Sequence, residues 1–217
     1  MNYDAILFDY DGTVADSIAD IAYAANRALR LAGLPEREEA EYRSFAGSGA
    51  GVLLRRAAPA GPDGETLRAL YDDYVAYYAE HANDRSRPYD GVPEMLSALK
   101  EAGRKLAVIS NKPDAAVQPG VARFFAPWLA LAVGEKPGVR RKPWPDMLEA
   151  AAAELGVALP RCLYVGDTEV DLETARAANI DCAAVTWGFR TREQLVAAGG
   201  SLLFDSPAEL TAFILNA

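Results

Sequence analysis

The sequence predicts an α/β protein: a parallel sheet flanked by helices, interrupted after its first strand by a helical insert. Three observations carry that expectation. Short apolar blocks recur at Ala5 to Phe8, Lys105 to Ser110, Leu129 to Val133, Cys162 to Gly166, Cys182 to Trp187 and Ser201 to Phe204. Helical segments separate most of the later blocks, and strands alternating with helices build parallel sheets. Between the first block and the second lie about 90 residues, several times what a single crossover needs, so something is inserted there.

The first block stops at Asp9-Tyr10-Asp11-Gly12-Thr13, which suits a buried strand running into a tight turn. The insert opens with Ser17 to Leu31, where Ile18, Ile21, Ala22, Ala25 and Leu29 form a helical stripe and Ser17 with Asp20 resembles a capping box. Thr66 to His81 repeats the stripe through Leu67, Leu70, Tyr71, Tyr74 and Tyr78, and the three tyrosines on one face read as packing. The insert therefore covers residues 15–87, and residues 1–14 and 88–217 form the main body, joined to it by two segments that make a hinge. Crossover helices follow at Pro93 to Ala102 before Gly103, Trp144 to Leu155 before Gly156, Thr168 to Ala178 before Asn179, and Pro207 to Leu215 behind Ser206.

At 217 residues, 51% hydrophobic and 24% charged, the chain builds a core of its own. Its 22 basic against 31 acidic residues give a net charge of -9, which disfavours an electrostatic grip on nucleic acid. No apolar run approaches the roughly 20 residues that cross a bilayer, which argues against a membrane partner. The start, with Asp4, Asp9 and Asp11, does not resemble a secretory signal. Cys162 and Cys182 lie in apolar stretches and read as reduced core residues of a cytoplasmic protein, for which monomer and homodimer both stay open.

Asp9 and Asp11 stand two apart at a strand end, where both side chains face one way. Asp167 and Asp171, in Gly166-Asp167-Thr168-Glu169-Val170-Asp171, follow a later strand where a helix begins. Strands of a parallel sheet empty onto one edge, so the two clusters converge on one crevice. Crowded carboxylates need a positive charge among them, and hard oxygen ligands favour Mg²⁺, which keeps waters and accepts phosphate oxygens. Ser110-Asn111-Lys112-Pro113 supplies a hydroxyl and backbone N–H groups for a phosphate, and Lys142 in Arg140-Arg141-Lys142-Pro143 places a point charge. Arg140 and Arg141 read as surface residues, and His81 reads as a partner of a helix C-terminus. The partner these features suit is a small phosphorylated metabolite.

Taken in order, Asp9-Tyr10-Asp11-Gly12-Thr13, Ser110-Asn111-Lys112, Lys142-Pro143 and Gly166-Asp167 with Asp171 resemble the haloacid dehalogenase-like hydrolase superfamily, across the whole chain. The second aspartate resembles its phosphatase branch. Asp16-Ser17, the run from Tyr42 to Gly49, Arg140-Arg141-Lys142-Pro143 and Thr186-Trp187-Gly188 resemble the phosphoglycolate phosphatase group, although Trp144 stands where many relatives have histidine. The resemblance implies a Rossmann-like core with an inserted α-helical cap, and Mg²⁺-dependent hydrolysis of a small phosphomonoester such as 2-phosphoglycolate.

It further implies that Asp9 is phosphorylated in line and that Asp11 protonates the leaving oxygen, then deprotonates water. The implied Mg²⁺ ligands are Asp9, the main-chain carbonyl of Asp11, and Asp167, with Asp171 adjacent or reaching through water. Ser110 and Asn111 are implied to hold the phosphate, with Lys142 bridging it to Asp9. In the flexible run Gly47 to Gly51, residues Gly47, Ser48 and Gly49 are candidates for the cap loop that reads the organic part of the substrate. A phosphosugar mutase, a pyrophosphatase and a nucleotidase stay open as alternatives; a binding module without turnover has no use for a nucleophile and an acid together.

Overall fold

Four consecutive apolar residues, all without solvent contact, form β1 (Ala5–Phe8), and the chain leaves it through a turn at Gly12, whose φ of 84° suits glycine. In this computed structural model, residues 3–59 and 62–216 are described. The turn leads into β2 (Ala15–Asp16) and the helices α1 (Ile18–Leu31), α2 (Glu39–Phe45), α3 (Ala50–Ala57) and α4 (Gly64–His81). The chain returns through β3 (Arg87–Pro88), which pairs antiparallel with β2 as a two-stranded ribbon.

The main body then alternates: α5 (Val92–Glu101), β4 (Lys105–Pro113), α6 (Asp114–Phe124), β5 (Leu131–Glu135), α7 (Asp146–Leu155), β6 (Cys162–Gly166), α8 (Glu169–Ala178), β7 (Asp181–Val185), α9 (Arg192–Ala197), β8 (Leu202–Phe204) and α10 (Pro207–Asn216). The six long-range strands form one parallel sheet in the order β5-β4-β1-β6-β7-β8. Strand β1 lies inside this sheet, and later strands are added on either side of it, so a crevice opens at its carboxyl end. Aliphatic side chains from alternate strand positions pack against α5, α6 and α10 on one face, and against α7 and α8 on the other.

Helices α1 to α4 have a core of their own, from Ile21, Leu29, Tyr42, Leu54, Leu70 and Tyr78 among others. Ala116 of α6 and Phe189 join that cluster, so the inserted cap packs directly on the main body. Both cysteines are thiols, Cys162 buried and Cys182 partly so. No helix among the described residues is long and apolar enough to cross a membrane.

The differences from expectation have local causes. Helix α6 is hidden in the sequence by Pro119 and Gly120; Gly120 is needed because a Cβ there would lie 2.1 Å from the Tyr10 hydroxyl. Strand β4 runs on past Ser110 to Pro113 with a register shift after Ile109, and β5 begins two residues after Leu129. The expected Ser17–Asp20 capping box is absent. Ser17 donates instead to Asp11 at 2.6 Å, and Asp20 accepts from the N–H groups of Arg85 and Ser86 and from the Ser86 hydroxyl, tying the first turn of α1 to the chain just before β3.

Candidate active site

Asp9 is the first residue past β1, its N–H donating to Val165 O on the neighbouring strand. Its Oδ1 accepts from the Tyr10 N–H at 2.7 Å and its Oδ2 lies 2.9 Å from Lys142 Nζ. Asp11 lines the same cavity as Asp9, its Oδ1 accepting from the Ser17 hydroxyl and from Lys112 Nζ at 2.9 Å. Asp167 follows β6 and is held from both sides: Thr13 Oγ1 donates to Oδ1 at 2.9 Å and the Phe189 N–H to Oδ2 at 2.7 Å. Two glycines make room for it. A Cβ on Gly12 would fall 2.2 Å from Asp167 Oδ2, and one on Gly188 2.4 Å from the same atom.

Asp171 fills its capping position at the start of α8: its Oδ2 accepts from the Thr168 N–H and hydroxyl at 3.0 and 2.7 Å. Its Oδ1 accepts from Lys142 Nζ at 2.8 Å and the Tyr164 hydroxyl at 3.0 Å. Each Asp171 oxygen thus receives two donors, which fills the lone pairs of a carboxylate. Asp9 and Asp167 have one partner on each oxygen. Carboxylate oxygens of Asp9, Asp167 and Asp171 lie within 4.8 Å of one another.

Ser110 accepts from the Lys112 N–H at 3.2 Å, which leaves its own proton to give. Asn111 has another occupation. Its Oδ1 accepts from the Lys142 N–H at 2.9 Å, while its Nδ2 donates to Lys142 O at 3.0 Å and to Gly47 O at 3.1 Å. The side chain therefore ties two motif loops of the main body to the cap loop. Gly47 and Gly49 line the cavity, whereas Ser48 is not among its lining residues.

Several contributors escape sequence reasoning. Lys112 is buried, with Nζ between Asp11 and the Tyr78 hydroxyl, 2.5 Å away. Tyr74 and Tyr78 are stacked core residues of the cap, as their stripe suggests, yet both also line the cavity beside Ile21, Ala50 and Leu53. Tyr71 points elsewhere and is over a third exposed. The buried guanidinium of Arg190 pairs with Glu169 and donates to Arg43 O and to Ala46 O, while Arg43 donates to Gly188 O at 3.2 Å. That exchange fastens the end of α2 to the main body. Arg140 and Arg141 pair with Asp146 and Glu135 at the periphery, and His81 pairs with Asp84.

Burial dominates the electrostatics. It pushes the Asp9 carboxyl up to about 7; Lys142 opposes the rise and Asp171 and Asp11 add to it. Asp167 is raised well above the ordinary carboxylate range by burial, then by Asp171 and Asp9, against the bonds from Phe189 and Thr13. For Asp171, burial is outweighed by Lys142 and by the Thr168 and Tyr164 donors, so its carboxyl lies below the usual value. Burial likewise works against the charge on Lys142, but Asp171 and Asp9 hold its ammonium more tightly protonated than usual. Three carboxylates around one ammonium leave an excess of negative charge. With an all-oxygen donor set, that excess fits a hard dication.

Comparison with known proteins agrees with this geometry. The family model for haloacid dehalogenase-like hydrolases matches residues 6–185. The chain belongs to that family. An N-acetylmuramic acid 6-phosphate phosphatase of Pseudomonas aeruginosa is 35% identical, over 97% of this chain and 94% of its own. A phosphoglycolate phosphatase of Colwellia psychrerythraea is 34% identical, over 95% of both chains. Among solved structures, one from Lactobacillus delbrueckii subsp. bulgaricus superposes with a TM-score of 0.94 at 34% identity, over 99% of both chains. CbbY from Rhodobacter sphaeroides, solved in complex with phosphate, superposes at 0.74 with 26% identity, over 96% of both chains. Family and relatives make this haloacid dehalogenase-like hydrolase a phosphomonoester hydrolase.

Proposed function

We propose that this hydrolase cleaves 2-phosphoglycolate through a phosphorylated Asp9, with Mg²⁺ as its cofactor. The observation that carries the substrate is the size of the site. With α4 and the Gly47–Gly49 loop lying over Asp9 and Asp11, the cavity, partly open to solvent, is about 40 Å³, room beside the aspartates for a few water-sized groups. A phosphoryl group on a two-carbon acid suits that space better than a phosphorylated amino sugar, the substrate in the name of the Pseudomonas aeruginosa relative. The cap, which we place at residues 15–87, has to open for entry and close for chemistry.

Asp9 and Asp167 keep a lone pair on each oxygen and are the side chains proposed to hold the ion, together with the main-chain carbonyl of Asp11. Asp171, saturated with donors, supports Lys142 from behind. The bound ion would offset the repulsion between Asp9 and the substrate's phosphoryl oxygens. Lys142 adds an ammonium at 2.9 Å from Asp9 that can reach across to the same group. Ser110 gives its hydroxyl proton to a phosphoryl oxygen. The Asp9 carboxylate attacks phosphorus opposite the ester oxygen, which leaves as an alcohol with a proton from Asp11. Asp11 then takes a proton from water as that water attacks the aspartyl-phosphate, which restores both groups. Ser17 holds Asp11 in place for both steps.

Phosphate release from 2-phosphoglycolate, N-acetylmuramic acid 6-phosphate, glucose 1-phosphate and pyrophosphate, each with Mg²⁺, tests this reading. Preference for 2-phosphoglycolate is expected. Preference for the amino sugar ester would overturn the substrate, and an isomer formed from glucose 1-phosphate without phosphate release would mark a mutase.

A further inference from the structure

Lys112 has no part in the chemistry just described, yet its ammonium is buried in the wall of the catalytic cavity. It is held by Asp11 Oδ1 at 2.9 Å and by the Tyr78 hydroxyl at 2.5 Å, over the rings of Tyr78 and Tyr10 at 4.5 and 5.0 Å. An ammonium has three protons to give, and two are used. The other buried ammonium near the cavity, Lys142, is shared between Asp9 and Asp171. Around Lys112 the cavity wall is apolar and aromatic: Ile21, Leu53, Tyr74 and Tyr78, all from the cap.

We propose that Lys112 Nζ, with the Tyr78 hydroxyl beside it, is a receptor for an anionic group on the organic part of the substrate, so that the main body rather than the Gly47–Gly49 loop recognises a carboxylate. This rests on the reading as a small-ester phosphatase and names the feature that selects among such esters. A carboxylate carried into this site meets Asp9 and Asp11, both repulsive, and, among the described lining residues, the cation of Lys112. Losing water there without a partner is costly, so an ester with a carboxylate gains and a neutral ester leaves Lys112 with its existing partners. Asp11 Oδ1 is held by the Ser17 hydroxyl at 2.6 Å as well as by Lys112, so a second donor stays on it when the ammonium is removed. Tyr78 belongs to α4, so the bond to Lys112 also ties recognition to the closed position of the cap.

The test is a binding comparison in the Asp9→Asn background, which removes turnover. Affinities for 2-phosphoglycolate and for ethyl phosphate, of similar size but without a carboxylate, are measured by calorimetry in the presence of Mg²⁺. Adding Lys112→Met should weaken 2-phosphoglycolate by about 30-fold, the loss of a charged hydrogen bond, and ethyl phosphate by much less. Tyr78→Phe, which keeps the ammonium, should give a smaller loss of the same selectivity and stands in if Lys112→Met does not fold. Equal weakening of both esters, or equal affinity of the Asp9→Asn chain for the two, overturns the receptor. Phosphate release from either ester by the unaltered chain judges the phosphatase reading separately.

Discussion

Lys142 and Asp171 form an ion pair of 2.8 Å from which water is excluded, and the same ammonium stands 2.9 Å from Asp9. Burying charge is unfavourable by itself, so the pair persists because every remaining lone pair of Asp171 is also filled. Breaking it should therefore affect both folding and turnover. Lys142→Met should reduce phosphate release by about 1,000-fold or more. It should also destabilise the fold by about 3–5 kcal/mol, read from urea unfolding, because two carboxylates are left in the interior without their cation.

Asp171→Asn separates support from chemistry. The amide keeps the size of the side chain but loses an acceptor and the charge facing Lys142. Stability should fall by about 1–3 kcal/mol and turnover by less than in Asp9→Asn, whose phosphate release should vanish. Comparable loss of turnover in both would place Asp171 in the reaction itself.

The stability of the metal-free chain should decline as pH rises from about 4 to about 7. Asp9 has its folded value raised to about 7, so its contribution is complete when protonated and is lost as pH climbs through that value. Asp167 is displaced in the same direction. Asp171 is lowered instead; it contributes above the ordinary aspartate range and fades only in acid. Mg²⁺ would favour the ionised carboxylates, so its stabilising effect should be larger at about pH 7.5 than at about pH 5. Thermal melting at the two values, with and without Mg²⁺, checks the sign.

Gly188→Ala should weaken Mg²⁺ binding although it replaces no charged residue. Its Cβ would stand 2.3 Å from Gly12 O and 2.4 Å from Asp167, so one of them must move. The Mg²⁺ concentration for half-maximal phosphate release should rise by about 10–100-fold, the range seen when the supports of a metal ligand are disturbed.

Arg190→Met should loosen the cap. The buried guanidinium donates to Arg43 O and Ala46 O, across more than a hundred residues of sequence, and losing it leaves two carbonyls and Glu169 without their partner. Proteolysis between residues 43 and 49 should accelerate, and the KM for a phosphate ester should rise more than kcat falls.

Signals that lie within a few residues of one another were legible in the sequence. The apolar block before Asp9, the glycine of the turn and the helix that starts at Thr168 all appear in the structure where their spacing puts them. What was missed is paired over long stretches of chain. Lys112 meets Tyr78 from 34 residues away and Arg190 meets Ala46 from 144, and neither leaves a local pattern. Asn111 illustrates the same limit from the other side: its motif position suggests a phosphate donor, while its partners in space are Lys142 and Gly47. Ser17 and Asp20 have the spacing of a cap but are drawn off by Asp11, Arg85 and Ser86.

The two-residue ribbon, with Ala15 against Pro88 and Asp16 against Arg87, brings the entry and exit of the four cap helices side by side. A segment whose ends already touch behaves as a cassette: it can be lengthened, exchanged for another or removed without redrawing the sheet beneath it. Selection for a new ester could therefore rework residues between the two ribbon strands while the aspartates stay where β1 and β6 put them. With Lys112 as the ammonium of the carboxylate receptor, a foreign cassette grafted at that ribbon would lose Tyr78 but keep that ammonium, a leaning toward acidic esters inherited from the frame that receives it.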